Sequence, residues 1–191
     1  MMHKRGMLLI VFLLAFPIVS AQETYHLKLL AVQENGTNYI GSEADLFLEL
    51  IEGSGRVFLE TKPLTKMDTQ ISTRFAKEIA CKHFKLDCNK YDFIYTIRSA
   101  SNIIGGPSAG AAISALTTIA VLDLKYDEEV TITGTINSGG IVGHVGGVKE
   151  KLEAASKSKI KKVLVAKGTT QTEFLNGSNK TNLDLGSYAQ D

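Results

Sequence analysis

Residues Ala111 to Leu122 carry apolar side chains on nearly every face of a helix: Ala111, Ala112, Ile113, Ala115, Leu116, Ile119, Ala120 and Leu122. A helix with that distribution has no side to give to water, so it must lie at the centre of a domain. The other elements have to be arranged around it. Just ahead of it stands Ile104-Gly105-Gly106-Pro107-Ser108-Ala109-Gly110. Pro107 suits the first helical position, where the N–H it lacks is not needed. That register puts the Ser108 hydroxyl in the first turn of a rigid, buried element. At 191 residues the chain holds one domain with a real core.

The elements on either side read as follows. His26 to Val32 alternates and is predicted as a strand, followed by a turn at Glu34-Asn35-Gly36-Thr37. Ala44 to Ile51 alternates again, and Gly53-Ser54-Gly55 leads into Val57-Phe58-Leu59-Glu60, which predicts a hairpin between the two runs. Asp68 or Thr69 caps a predicted helix to about His83, with Ile71, Phe75, Ala76, Ile79 and Ala80 as its core-facing stripe. Tyr91 to Ile97 is β-rich, with Tyr91, Phe93, Tyr95 and Ile97 on one side. Val130 to Ile136 and Ile141 to Val145 predict a second hairpin about Asn137-Ser138-Gly139-Gly140. Gly146-Gly147 then opens a helix from Val148 to about Ser156, and Val163-Leu164-Val165 predicts a short buried strand. The expected fold is a single α+β domain, a mixed sheet with hairpins packed by helices.

The first 21 residues are set apart from this domain. Lys4 and Arg5 precede an apolar run from Met7 to Phe16, and Val19-Ser20-Ala21 fits a signal-peptidase site. The expectation is a signal peptide at 1–21, or an N-terminal anchor, ahead of a domain at 22–191, with export in either case. An oxidising compartment permits a disulfide between Cys81 and Cys88, which lie seven positions apart. Two free thiols are the other reading. A metal site using His83 with them has only three ligands in view, and no metal is assigned.

Ser108 needs a base before it can attack a carbonyl, and an amine kept neutral by its surroundings can be that base. Gly105, Gly106 and Ala109 are small enough to admit a substrate backbone, and N–H groups at a helix start suit an oxyanion. The predicted hole uses the Ser108 N–H with a neighbour from the Gly105-Gly106 turn. Six lysines crowd the segment from Lys149 to Lys162. In the helix from Val148, Leu152 and Ala155 mark the buried stripe, while Lys149 and Glu153 form an exposed i, i+4 pair. Lys151 is therefore the lysine predicted to point inward, where burial disfavours its charged form. Thr133, on the preceding strand, has a hydroxyl that could hold the amine. His144 is read as a strand residue rather than a base.

Gly106-Pro107-Ser108-Ala109-Gly110, Thr133-Gly134 and Gly146-Gly147-Val148-Lys149-Glu150-Lys151-Leu152-Glu153-Ala154-Ala155 resemble the proteolytic domain of the Lon protease family. The likeness runs from about residue 68 to 168 and is nearest to secreted, archaeal-type Lon-like peptidases that lack an ATPase module. The resemblance implies a serine–lysine dyad of Ser108 and Lys151, with Thr133 as the supporting threonine. Family members often carry an acidic residue where Gly105 stands and a glutamate where Thr135 stands, so the shape and tuning of the site differ here. Such domains usually continue with a further strand and helix where this chain has a polar tail, so a longer natural protein or a shortened family member is expected. The family forms rings, which makes a homo-oligomer a further expectation, and membrane association through the N-terminus or a missing C-terminal region another.

The leading reading is an ATP-independent serine endopeptidase acting on peptides or unfolded chains, with no cofactor. No Gly-x-x-x-x-Gly-Lys-Ser/Thr loop occurs in the sequence. A non-catalytic Lon-like domain for peptide binding or assembly is the second. A phosphate binder built on the glycines from Gly139 to Gly147 is the third; it is disfavoured because they alternate with apolar residues, as a hairpin would. With 21 basic and 20 acidic residues and no tryptophan, nothing marks the chain as a nucleic-acid binder.

Overall fold

A computed structural model describes residues 23–36, 38–101, 104–169, 171–176 and 179–185. The segment read as a signal peptide lies outside them. No helix among the described residues is long and apolar enough to cross a membrane.

Four strands form the main sheet: β1 (Thr24–Asn35), β2 (Asn38–Glu52), β3 (Val57–Lys62) and β4 (Tyr91–Ser99). Their spatial order is β1-β2-β4-β3, antiparallel except for the parallel β3–β4 pair. β1 and β2 are a long hairpin about Gly36, whose φ of 64° suits the glycine at that turn. The hairpin expected between β2 and β3 is not formed: β4 lies between them. Gly53 to Arg56 turns around Asp92 instead. That buried carboxylate accepts the Ser54 and Arg56 N–H groups at 2.8 and 3.0 Å and pairs with the Arg56 guanidinium. The guanidinium and these amides hold Asp92 down at a pKa of about 2.

Three helices follow: α1 (Met67–His83), α2 (Gly110–Leu122) and α3 (Val148–Ser156). α2 is the buried central helix. Ala112, Ile113 and Leu116 are fully enclosed and pack on Leu46, Leu48, Phe93, Tyr95 and Ile97 of the sheet. Its buried hydroxyls are satisfied: Ser114 donates to Ala76 O at 2.8 Å, and Thr117 shares a hydrogen bond of 2.7 Å with Tyr95.

α1 packs on α2, and the face it buries keeps Ala76, Ile79 and Ala80 of the predicted stripe but replaces Ile71 and Phe75 with Thr69 and Thr73. Thr69, Thr73, Ala76, Lys77, Ile79 and Ala80 are inside, whereas Ile71 and Phe75 are 61% and 39% exposed. Lys77 can be buried because its ammonium reaches Gly55 O at 3.1 Å and Glu78 at 2.9 Å and lies over the Phe93 ring. A disulfide joins Cys81, near the end of α1, to Cys88, just ahead of β4. Closing so short a loop is worth about 2.5 kcal/mol in the chain-entropy account. Cys81→Ser with Cys88→Ser is therefore expected to lose that much in a urea titration under non-reducing conditions.

The remaining strands are short. β5 (Val130–Ile132) pairs in parallel with β8 (Lys162–Leu164), and β6 (Thr135–Ile136) pairs with β7 (Val142–Gly143) as the second hairpin. β8 is not the buried strand expected, since Leu164 is 45% exposed. The polar C-terminal stretch, not assigned as structure from sequence, holds a hairpin of β9 (Gln171–Asn176) and β10 (Asn179–Asp184).

The middle of β1 is buried on both faces. Leu29 joins the core under α2, and Leu30 packs with Ala154 and Ala155 of α3. The period-2 alternation of a strand thus seats the serine helix and the lysine helix on one element.

Candidate active site

The serine sits earlier than the sequence implied. α2 begins at Gly110, so Pro107, Ser108 and Ala109 form a turn leading into it rather than its first residues. The Gly110 N–H closes that turn on Pro107 O at 3.0 Å. Ser108 is half-buried and borders a narrow cleft whose other walls include Leu30, Ala31, Val32, Ile104 and Gly105. A second groove, lined by Ile71, Phe75, Pro107 and Ile136, opens on the other side of the turn.

Gly134 ties the turn to the lysine. Its N–H donates to Ser108 O and its carbonyl accepts the Ala111 N–H, both at 3.0 Å. A Cβ at Gly134 would fall 2.4 Å from Val142 Cγ1, so a larger residue would force these segments apart. Thr133 is next in the chain. It lies in the link between β5 and β6 rather than within a strand, with its N–H held by Leu164 O at 3.0 Å. The Thr133 hydroxyl accepts a hydrogen bond of 2.9 Å from Lys151 Nζ.

Lys151 is 3% exposed, and no carboxylate pairs with it among the described residues. Burial without a counter-charge pulls its pKa from the usual 10.5 to about 8. α3 also separates the two lysines as expected: Lys149 reaches Glu153 at 2.5 Å on the outer side while Lys151 points in. Leu152 is only half-buried; Val148, Ala154 and Ala155 fill the inner face.

The amides around the turn are not equivalent. Gly106 N–H is already donated to Asp68 Oδ2 at 3.1 Å, which removes it from the predicted oxyanion hole. The N–H groups of Ser108 and Ala109 have no acceptor among the described residues. Gly105 lies under the aliphatic stem of Lys66, which approaches within 2.9 Å of where a Cβ would stand. His144 exchanges a hydrogen bond of 2.8 Å with Thr169. Gly134 and Glu150 entered the sequence reading only as members of the Thr133-Gly134 and Gly146–Ala155 motifs, and Asp68 only as a helix-start residue; none was given a part in the site, and the buried Glu150 has an Oε2 without a partner among the described residues.

The class defined by this fold and site is an α+β domain in which a serine turn and a buried lysine amine are joined through one threonine–glycine pair. The chain belongs to the Lon protease family, matching the Lon protease (S16) C-terminal proteolytic domain over residues 69–182. It is 31% identical over 163 residues to a Lon protease of Orientia tsutsugamushi, covering 82% of this chain and 20% of that protein. A Lon protease of Clostridium beijerinckii is 33% identical over 135 residues, covering 67% and 16%. An archaeal Lon protease of Pyrococcus abyssi is 27% identical over 99 residues, covering 52% and 10%. The chain thus corresponds to a fifth or less of the length of these relatives.

Proposed function

We propose that this domain is a serine endopeptidase that works through a Ser108–Lys151 dyad without ATP. The observation that carries the reading is the buried Lys151 amine, which has no carboxylate partner among the described residues and is linked through Thr133 and Gly134 to the Ser108 turn. Neutral Lys151 takes the Ser108 proton as Oγ bonds to the peptide carbonyl carbon. The carbonyl oxygen becomes an oxyanion facing the free N–H groups of Ser108 and Ala109. Lys151 then returns the proton to the leaving amine as the C–N bond breaks, leaving an acyl-enzyme that water hydrolyses by the same steps. Thr133 orients the amine throughout.

The proposed substrate is a peptide, an exposed loop or an unfolded chain, which can enter the narrow cleft beside Ser108. The Cys81–Cys88 disulfide supports an exported setting, as does the reading of residues 1–21 as a signal.

The test treats purified protein with a serine-directed acylating probe at about pH 8 to 9, near the reduced Lys151 pKa, and reads adducts by intact mass. Wild type is expected to gain one adduct that Ser108→Ala and Lys151→Ala lack. A folded wild type that takes no adduct would favour the non-catalytic domain instead. Thr133→Val, which removes one hydrogen bond worth about 1 kcal/mol, is expected to slow acylation roughly fivefold. A stopped-flow comparison of the two proteins checks it.

A further inference from the structure

Asp68 stands in the first turn of α1, on the segment that runs beside the entrance to the serine turn. Thr65 and Ile104 form a parallel bridge there. The Lys66 N–H donates to Ile104 O at 2.8 Å, and the Ile104 N–H donates to Leu64 O at 3.1 Å. The start of α1 is thus docked against the chain that becomes Gly105 and Gly106.

An aspartate at a helix start ordinarily turns its carboxylate to its own helix. The two oxygens of Asp68 divide instead. Oδ1 accepts the Thr69 N–H at 2.7 Å, and Oδ2 accepts the Gly106 N–H at 3.1 Å across the gap. The Thr69 hydroxyl faces Gly106 O at 3.4 Å, so both polar groups of the Gly106 backbone meet the first turn of α1. Gly106 has a φ of 93°, and among the described residues, its two chain neighbours aside, no atom lies within 4 Å of where its Cβ would be. The packing of those residues therefore does not fix it, and glycine has wide freedom of its own. Yet its torsions aim the next two residues, Pro107 and Ser108. The exit from the turn is held by the main chain of Gly134, whereas the entrance is held by a side chain, that of Asp68. Asp68 is exposed, so it is not there to fill the core.

We infer that Asp68 is a positioning residue for the nucleophile, fixing Gly106 and through it the aim of the Ser108 hydroxyl. The inference rests on the reading of Ser108 as the nucleophile. Asp68 touches no reacting atom; it acts through the backbone.

The experiment compares wild type, Asp68→Ala and Asp68→Asn by probe acylation rate, by amide exchange of Gly106 followed by NMR, and by thermal unfolding. Asp68→Ala is expected to slow acylation about 10- to 100-fold, the scale of a displaced reacting group. Asparagine keeps one acceptor oxygen and gives an intermediate rate. Gly106 exchanges faster in Asp68→Ala, while the unfolding midpoint moves little. An unchanged acylation rate, or unchanged Gly106 protection, would overturn the inference. So would faster acylation, which would make Asp68 a screen over an oxyanion donor, or a slowing matched by loss of the fold. If wild type itself takes no adduct, the nucleophile reading fails and the positioning role with it; Gly106 exchange then shows separately whether the clamp exists.

Discussion

Acylation of Ser108 is expected to rise about tenfold per pH unit up to roughly pH 8 and then level, and Lys151→Ala is expected to lower the plateau about 10³-fold. Both effects come from the burial of one amine. Lys151 is 3% exposed and its pKa falls to about 8, so its proton is lost where an ordinary lysine keeps it. At pH 7 about one molecule in ten then carries the neutral base, against about three in ten thousand for an unperturbed lysine. The same burial has a thermodynamic sign. Below about pH 8 the unfolded chain and the folded domain both hold the proton, and folding bears the full cost of burying the charge. Between about 8 and 10.5 only the unfolded chain binds it, so stability rises with pH across that window. Lys151→Met is accordingly expected to be more stable than wild type at pH 7 by on the order of 3 kcal/mol, with the difference shrinking toward pH 10.5. Urea titrations at three pH values measure it. A variant both inactive and more stable is the signature of a site kept at the expense of the fold.

Gly41→Ala is expected to unseat α3. A Cβ at Gly41 would lie 1.7 Å from Glu150 O and 2.5 Å from Glu150 C, with Ala154 Cβ at 3.1 Å. These are mostly backbone atoms, so no side chain can swing aside. α3 must withdraw from β2, carrying Lys151 away from Thr133. The expected cost is about 3 kcal/mol or more, with acylation slowed at least about 100-fold. Gly146→Ala is the control, because among the described residues, its chain neighbours aside, nothing lies within 4 Å of its Cβ position. If the two variants behave alike in denaturation and acylation, α3 is not seated as described.

The sequence made legible whatever local chemistry determines. α2 could be read because it is apolar all round, and Lys151 because its neighbours Lys149 and Glu153 mark the wet side of a short helix. The pairing of β3 could not, because β4 is supplied by a segment some thirty residues later and inserts between β2 and β3. Local alternation carries no information about that partner. Ile71 and Phe75 misled for a related reason. Helical periodicity finds apolar residues on one stripe but not how far the buried face is rotated from it, and here that face runs through Thr69, Thr73, Ala76, Ile79 and Ala80. Gly134 and Asp68 act through main-chain hydrogen bonds to the serine turn, which exist only once distant segments are brought together. β9 and β10 are polar strands without the apolar alternation that makes a strand readable.

The most direct test of the central claim is an NMR titration of the Lys151 side chain in the folded domain, using ¹³C-labelled lysine and Lys151→Met to assign the signal. The account predicts a midpoint near pH 8, matching the rise of the acylation rate. A midpoint at the ordinary lysine value of about 10.4 would contradict it, since a fully charged amine cannot take the proton of Ser108.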